Sequence, residues 1–245
     1  MGKPGAGKGD KGKMIEALGT DYGIGRIVTS DMIRENILGN TPLGLEFKKY
    51  EVGMVERKLM PTELVLEGLA MEIIELHQNG KRIIILDGAP RDERQAKALL
   101  SCHVPFKLFE FDISDKEAYR RDQIRATYEK RLDNGKVPEG LKVFESVTAR
   151  GIRLAKKAAG VYERIDGTKP MRSQVAQVLR ELGFRQHEFN QMMQKLDNKN
   201  HPATIIMDMA EGRRARSVTP SSNVSSKTTT WFERTSMQPR VAMTV

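Results

Sequence analysis

Short apolar runs rich in β-branched residues alternate along this sequence with stretches of helical periodicity, and this alternation constrains the fold most. The predicted strands are 24–29, 82–87, 106–111 and 161–165. The predicted helices are 11–18, 31–38, 61–79, 93–100, 115–132, 142–159 and 171–182. In such a pattern, helices cross over between parallel strands. The sequence therefore predicts an α/β fold with a parallel sheet flanked by helices.

A glycine-rich segment, Gly2-Lys3-Pro4-Gly5-Ala6-Gly7-Lys8, stands at the start of the sequence. It fits the phosphate-loop pattern, in which two glycines flank four residues and a lysine follows. Glycines let successive backbone N–H groups point into one concavity, and a following helix adds its positive end. A flexible Gly- and Lys-rich segment would be the plain alternative. The helical pattern that follows, with apolar residues at 14, 15 and 18, favours phosphate binding.

Two features differ from an ordinary phosphate loop. Only Met1 precedes the loop, where a buried central strand is expected, and a missing strand would leave two neighbours with unpaired edges. We therefore expect a sheet that lacks its first strand, in a chain that is shortened or whose true start lies upstream. Asp10 stands where a Thr or Ser hydroxyl usually meets phosphate or Mg²⁺. Its carboxylate either binds the metal ion more directly or weakens ATP binding.

Composition suits a globular protein outside the membrane. Hydrophobic residues make up 39% of the 245 residues and charged residues 30%, and no apolar stretch is long enough to span a bilayer. The single cysteine, Cys102, cannot form an internal disulfide, so we expect a cytoplasmic protein. The formal net charge of +9 is consistent with arginines that bind phosphates and is weak support for a nucleic-acid partner.

The composition changes after about residue 183. Residues 184–204 are predicted to hold one further helix, and 205–245 are predicted to be a disordered, basic, Ser/Thr-rich tail. Three arginines at 213, 214 and 216 form a small basic patch there. A solvated tail is the favoured interpretation, with binding to RNA or protein as the alternative.

Four short motifs follow one another along the chain: GKPGAGKGD (2–10), TSDMIR (29–34), KLMPTEL (58–64) and LDGAPRDERQA (86–96). In this order and at these spacings they resemble the adenylate kinase family of nucleoside monophosphate kinases, over about residues 2–182. The resemblance implies a three-layer P-loop NTPase-type domain over 1–183. Within it we expect a small helical NMP-binding insertion at about 30–60 and a short lid at about 121–135.

The reaction that the resemblance implies is ATP + AMP giving two ADP, with Mg²⁺ on the donor phosphates, in a monomer. The implied ATP-binding residues are Gly5, Ala6, Gly7, Lys8, Gly9, Asp10, Arg121 and Arg125. The implied acceptor-binding residues are Thr29, Ser30, Arg34, Met60, Gly88, Arg91 and Gln95. Lys8, Arg91, Arg125 and Arg131 would stabilise transition-state charge. Asp87 would orient Mg²⁺ through water, and Asp10 is a candidate second ligand.

Other functions stay open. Gln95 matches the side chain that binds adenine in the family, which favours AMP, yet it could be an ordinary helix residue. A UMP/CMP-type kinase is the first alternative. The second is a catalytically weak nucleotide-binding protein whose basic tail docks on RNA or protein. Asp10, the missing strand and the absence of an arginine from 132–149, where the family has one more lid arginine, favour that second alternative.

Overall fold

The computed structural model describes residues 1–55, 58–102, 105–128, 137–158, 160–212 and 240–244. Five strands within these residues form one parallel sheet. Their order across the sheet is β1 (Ile24–Val28), β2 (Ile83–Asp87), β5 (Arg240–Thr244), β3 (Phe106–Asp112) and β4 (Tyr162–Asp166). The predicted α/β class is confirmed, and the four predicted strands agree with β1 to β4 to within one residue at each end.

The described helices connect these strands and cover the sheet. They are α1 (Lys8–Gly19), α2 (Thr29–Leu38), α3 (Pro42–Lys48), α4 (Glu51–Val55), α5 (Thr62–Gln78), α6 (Glu93–Ser101), α7 (Asp115–Tyr128), α8 (Val137–Val143), α9 (Ala149–Lys157), α10 (Met171–Glu181), α11 (Gln186–Lys195) and α12 (Pro202–Ala210). A 3₁₀ turn spans Thr20–Tyr22, and a π-helix, Phe144–Thr148, joins α8 to α9. None of the helices in the described part of the chain has the length and apolar character needed to cross a membrane.

Strand β2 shows how the sheet is buried on both faces. Ile83 and Ile85 belong to one hydrophobic cluster, with residues of α1, α10, α11 and α12. Ile84 and Leu86 point to the opposite face and pack with residues of α2, α3, α5 and α6. Successive side chains of a strand alternate between faces, so an uninterrupted apolar run is what a sheet between two helical layers requires. The core is thus divided by the sheet into two main clusters.

The tail prediction is wrong for part of its length. Residues 205–210 belong to α12, and 240–244 form β5, whereas 213–239 and 245 lie outside the described residues. Ala203 and Met207, four residues apart, are buried against the cluster that contains α1. The prediction was based on the average composition of the tail, which is polar, and such an average does not detect a short apolar helix face. The helix predicted within 184–204 is α11, and α12 begins before that range ends.

The sheet also differs from the sequence-based prediction at its centre. The expected unpaired inner edges of β2 and β3 are not found among the described residues. Strand β5 lies between them and pairs in parallel with both, with Ile84 opposite Val241 and Leu108 opposite Met243. The last described strand in sequence therefore occupies the central position in the sheet.

Candidate active site

The glycine-rich loop lies between Met1 and α1, at the carboxyl edge of the sheet. Gly2 has φ +149°, and a Cβ at this position would lie 2.4 Å from the carbonyl oxygen of Phe111. Only glycine allows this close approach to the end of β3. Gly7 is the N-cap of α1 with φ +70°, a left-handed conformation that glycine adopts without strain. The loop therefore leads directly into a helix N-terminus, where the helix dipole favours an anion.

Lys8 is partly buried and folds back onto its own loop. Its Nζ donates to the carbonyl oxygens of Gly2 at 3.0 Å and Lys3 at 3.1 Å. Burial, and then the positive charge of Arg91, lower the pKa of Lys8 to about 8, while Asp87 acts in the opposite sense and Arg125 adds to the lowering. The fold thus brings together four residues that the sequence analysis had singled out from three separate segments. Three of the four are cationic, so positive charge is concentrated beside the loop.

The other predicted loop residues have distinct environments. Ala6 is fully buried, and a Cβ on Gly5 would lie 3.0 Å from the carbonyl oxygen of Ala118. A Cβ on Gly9 would lie 3.8 Å from an oxygen of Asp87, so α1 packs closely on the end of β2. Asp10 lies in the first turn of α1 and is half-buried.

Lys11 is a charged residue of this site that the sequence analysis missed. Its side chain is 1% exposed, its Nζ donates to the carbonyl oxygen of Ala6, and the ammonium group lies 4.8 Å from the ring centre of Phe111. Burial, followed by the charges of Arg121 and Lys8, lowers the pKa of Lys11 to about 7. A second lysine one helical turn after Lys8 was the available signal.

Asp87 ends β2 and is paired with an arginine that the sequence analysis did not identify. Arg26, on the neighbouring strand β1, donates from Nη1 to Asp87 Oδ2 at 3.0 Å and from Nε to Glu16 Oε2 at 2.9 Å. The side chains of Arg26 and Asp87 are only 11% and 15% exposed. Such a pair is expected to fix the orientation of the carboxylate beside α1.

Thr29 stands at the junction of β1 and α2, facing the turn that follows β2. It is buried, and its Oγ1 has no hydrogen-bond partner among the described residues. A Cβ on Gly88 would lie 3.1 Å from this Oγ1, so glycine keeps the space in front of the hydroxyl open. Arg34, one turn further along α2, is exposed and pairs with Asp31, with Ser30 at 3.5 Å. A buried hydroxyl that lacks a hydrogen-bond partner and faces an open space is a typical feature of a ligand site.

Arg91 is held by its backbone while its side chain reaches towards the site. Its N–H donates to Gln95 Oε1 at 2.6 Å, and its carbonyl oxygen accepts a hydrogen bond from Thr148 Oγ1 at 3.0 Å. Its Nε donates to the carbonyl oxygen of Gly88 at 3.1 Å. Thr148 is the last residue of the π-helix and is buried. Sequence reasoning missed Thr148 because a contact across 57 positions carries no local signal.

Met60 lies beside a cleft of about 650 Å³, to which Pro61, Asp92 and Arg150 also contribute. Met60 is buried, and Gln95 is only 2% exposed, so Gln95 is not the ordinary exposed helix residue of the plain alternative. Thr62 donates from Oγ1 to Asp92 Oδ2 at 2.6 Å, and Asp92 Oδ1 caps α6 at Gln95 N. This pair of hydrogen bonds ties the start of α5 to the start of α6.

The arginines of α7 have well-defined partners. Arg121 donates from Nη2 to the carbonyl oxygen of Gly167 at 2.8 Å and from Nε to Glu117 at 2.6 Å. Arg125 pairs with Asp122 at 3.0 Å. Arg131 and the rest of 129–135, the second part of the predicted lid, lie outside the described residues. In the part of the chain that the structure describes, no three His, Cys, Asp or Glu residues cluster as a metal site.

Comparison with known proteins gives one family. A family model for adenylate kinase matches residues 1–166 of the chain. The adenylate kinase of Leptospira biflexa is 32% identical over 179 residues, which cover 70% of this chain and 91% of that relative.

Shorter matches agree with this result. The adenylate kinase of Clostridium tetani is 41% identical over 99 residues, or 40% of this chain. A mitochondrial GTP:AMP phosphotransferase of Drosophila melanogaster is 39% identical over 99 residues, again 40% of this chain. In both cases the match spans 42% of the relative's length.

Proposed function

The chain belongs to the adenylate kinase family, and from this membership we propose that it transfers the γ-phosphoryl group of ATP to a nucleoside monophosphate, with AMP as the preferred acceptor. The observation that carries the proposal is the convergence of Lys8 with Arg91, Arg125 and Asp87 at one edge of the sheet. Phosphoryl transfer requires reactants held in line and positive charge around the equatorial oxygens, and it requires no protein nucleophile.

The donor half of the site is the phosphate loop. The backbone N–H groups of residues 5–10 and the N-terminus of α1 would hold the ATP phosphates, and Lys8 would exchange its two carbonyl partners for phosphate oxygens. Arg121, Arg125 and Arg131 would add charge from the opposite side. The loop carbonyl oxygens that now accept from Lys8 show that its ammonium group can be satisfied before the nucleotide arrives.

The acceptor half is the space between α2 and the turn after β2. Arg91 and Arg34 would bind the monophosphate, while Thr29 would donate its uncompensated hydroxyl. Met60 and the backbone beside it would line the base. The hydrogen bonds that Thr148 and Gln95 make to the Arg91 backbone support this role, since they fix the arginine before the acceptor binds.

Two observations favour AMP as the acceptor. The relatives named above are adenylate kinases and a GTP:AMP phosphotransferase. In addition, the oxygen of the Gln95 amide accepts from Arg91 N–H, so its NH₂ group is the end that would meet a base. An NH₂ donor suits a ring nitrogen that accepts, such as N1 of adenine, and does not suit the N1–H of guanine.

We propose that Mg²⁺ accompanies ATP. The available donors, the carboxylates of Asp87 and Asp10, are the hard oxygen ligands that this ion prefers, and Mg²⁺ is commonly held by one or two carboxylates with substrate phosphates and water. Because Arg26 binds one oxygen of Asp87, a contact through water suits this carboxylate better than direct ligation. When bound, the ion would neutralise charge on the donor phosphates.

The test is the rate of ADP formation from Mg-ATP with AMP, CMP, UMP or GMP offered in turn. We expect turnover with AMP to exceed that with the other acceptors. Lys8→Met should reduce it by about 10²-fold or more, because Lys8 would contact the transferring group. Lys13→Met is the matched control, since Lys13 is exposed on the same helix. ATP binding without turnover on any acceptor would contradict the proposal and favour a nucleotide-binding protein.

A further inference from the structure

Strand β5 connects the two halves of the site. Strand β1 leads into Thr29 and β2 leads into Gly88, both on the acceptor side, whereas β3 and β4 border the phosphate loop and Gly167. Among the described residues β2 and β3 do not pair with each other. Only β5 forms backbone ladders with both, through residues 240–242 on one side and 241–244 on the other.

Strand β5 is also in register with Met1, the residue before the phosphate loop, along the edge of β3. In its ladder with β3, Thr244 lies opposite Phe109. Met1 donates its backbone nitrogen to the carbonyl oxygen of Phe109, and its own carbonyl oxygen accepts from Phe111 N–H at 2.8 Å. These two bonds are those of a parallel ladder in which Met1 lies opposite Glu110. Met1 thus occupies the ladder position that directly follows Thr244, and Gly2 begins the loop.

The position of Met1 shows that this junction is part of the core. Its side chain is fully buried with Leu108 and with Ile152 and Ala155 of α9. Its amino group is buried as well, and burial lowers the pKa of that group well below its ordinary value. Met1 therefore anchors the start of the loop to β3. Strand β5, which pairs with the same strand just before this point, also pairs with β2 on its other side.

We propose that residues 240–244 are a working part of the nucleotide site: paired between β2 and β3 of the same chain, they act as the strand that leads into the phosphate loop and hold its donor and acceptor halves together. Helix α1 and the packing of α6 on α9 also bridge the two halves. Those contacts are made by side chains, however, whereas β5 satisfies the inner backbone edges of both strands, which would otherwise be left without partners.

The experiment compares the full chain with three variants. The first lacks residues 240–245. In the second, residues 240–244 are removed from their place and inserted between the initiating methionine and Met1, so that Thr244 is joined directly to Met1. The third is the second with Ala242→Pro, which removes a backbone N–H in the middle of a central strand. The measurements are amide hydrogen exchange, binding of a fluorescent ATP analogue, sedimentation and ADP formation.

We expect the deletion to speed exchange at 83–85 and 106–109 and to weaken binding of the analogue, each by about tenfold or more, since pairing protects these amides. The relocated strand should restore both, and its proline form should not. The inference is overturned if the deletion changes neither exchange nor binding, or if the relocated strand restores nothing. Protection that appears only in a dimer would overturn it too, because the strand would then come from a second copy.

Only the activity measurement depends on the proposed function. The inference about β5 and the proposed function can therefore fail separately. If exchange and binding respond as expected but no acceptor yields ADP, the inference about β5 stands and the proposed function fails. If the deletion variant makes ADP as fast as the full chain, the proposed function stands and the inference about β5 fails.

Discussion

At the scale of single residues, the charge on Lys8 should make ATP binding depend on pH. The ordinary pKa of a lysine is near 10.5, and burial and Arg91 lower it here to about 8. Phosphate oxygens favour the protonated amine, so the bound state should have a higher pKa than the free state. Below pH 8 both states are protonated. Above it, binding must take up a proton, and affinity should fall as the pH rises.

Calorimetry at pH 8.5 in two buffers of different ionisation enthalpy measures this proton uptake. We expect the affinity for ATP to fall between pH 7 and pH 9, with uptake of up to about three-quarters of a proton at pH 8.5. Lys8→Arg is the control, because a guanidinium stays protonated throughout this range. Any uptake that persists in Lys8→Arg belongs to other groups, of which Lys11 is the nearest candidate. An affinity that is the same at pH 7 and pH 9 would contradict the assigned role of Lys8.

Asp10 gives a second prediction at this scale. Its carboxylate lies in the first turn of α1, where the helix dipole and Lys8 would attract a bound phosphate. Asp10→Asn should tighten binding of metal-free ATP by about tenfold, which corresponds to removing one repulsive charge near the protein surface. With excess Mg²⁺ the gain should shrink, because the ion offsets the same repulsion. Equal gains with and without Mg²⁺ would contradict this account, and Asp197→Asn, at an exposed site, is the charge control.

At the scale of elements, the π-helix is predicted to position Arg91. Thr148→Val keeps the shape of the side chain but leaves the Arg91 carbonyl without its 3.0 Å hydrogen bond. Loss of one partner of a buried bond costs about 1–3 kcal/mol. We expect a higher KM for the acceptor with little change in the KM for ATP, and recovery in Thr148→Ser. Equal changes in both KM values would indicate general destabilisation instead.

The sequence predicts those elements whose signals are local. Strands β1 to β4 are apolar runs of ordinary length, and Lys8, Asp87 and Arg91 fall at their carboxyl edge, so their convergence could be anticipated. The roles of Arg26 and Thr148 could not, because each depends on a partner from another element. Lys11 has a local signal, its spacing from Lys8, but its burial against Phe111 of β3 could not be anticipated.

Strand β5 is the clearest example of a non-local element. Its sequence, Arg240-Val241-Ala242-Met243-Thr244, is only five residues long and comes after a long Ser/Thr-rich segment, with Pro239 as its one flanking turn signal. What makes it a strand is the pair of open edges on β2 and β3, which come from distant parts of the chain. Local signals therefore predict the gap between β2 and β3 but not the segment that fills it, because that segment is far away in the sequence.

At the scale of the whole molecule, the boundary expected at residue 183 does not coincide with a boundary in the core. Tyr22 donates to Gln191 at 2.7 Å, and Lys195 pairs with Asp21 at 2.8 Å, so α11 is bound to the turn after α1. Helix α12 packs on α1, the helix that begins at the phosphate loop. These contacts support one folding unit that extends through residue 210. We therefore expect residues 1–183 and 184–210 to unfold in a single transition.

Met192 of α11 tests this unit. It is fully buried in the same cluster as Ile15 of α1 and Val178 of α10. If these helices fold as one, Met192→Ala should lower the free energy of unfolding of the whole domain by about 2–5 kcal/mol, the usual cost of such a truncation in a core. Gln194→Ala, two residues away and exposed, should change it by less than about 0.5 kcal/mol. Denaturant titration followed both by circular dichroism and by release of a bound ATP analogue provides the measurement.

A single transition that Met192→Ala shifts equally for both probes is the expected result, because helix α1 carries the phosphate loop at one end and contacts α11 and α12 along its length. Loss of α11 packing would then reach the nucleotide through α1 itself. Two separate transitions, with ATP release unaffected by Met192→Ala, would instead show that residues 184–210 are an appendage that folds independently of the site.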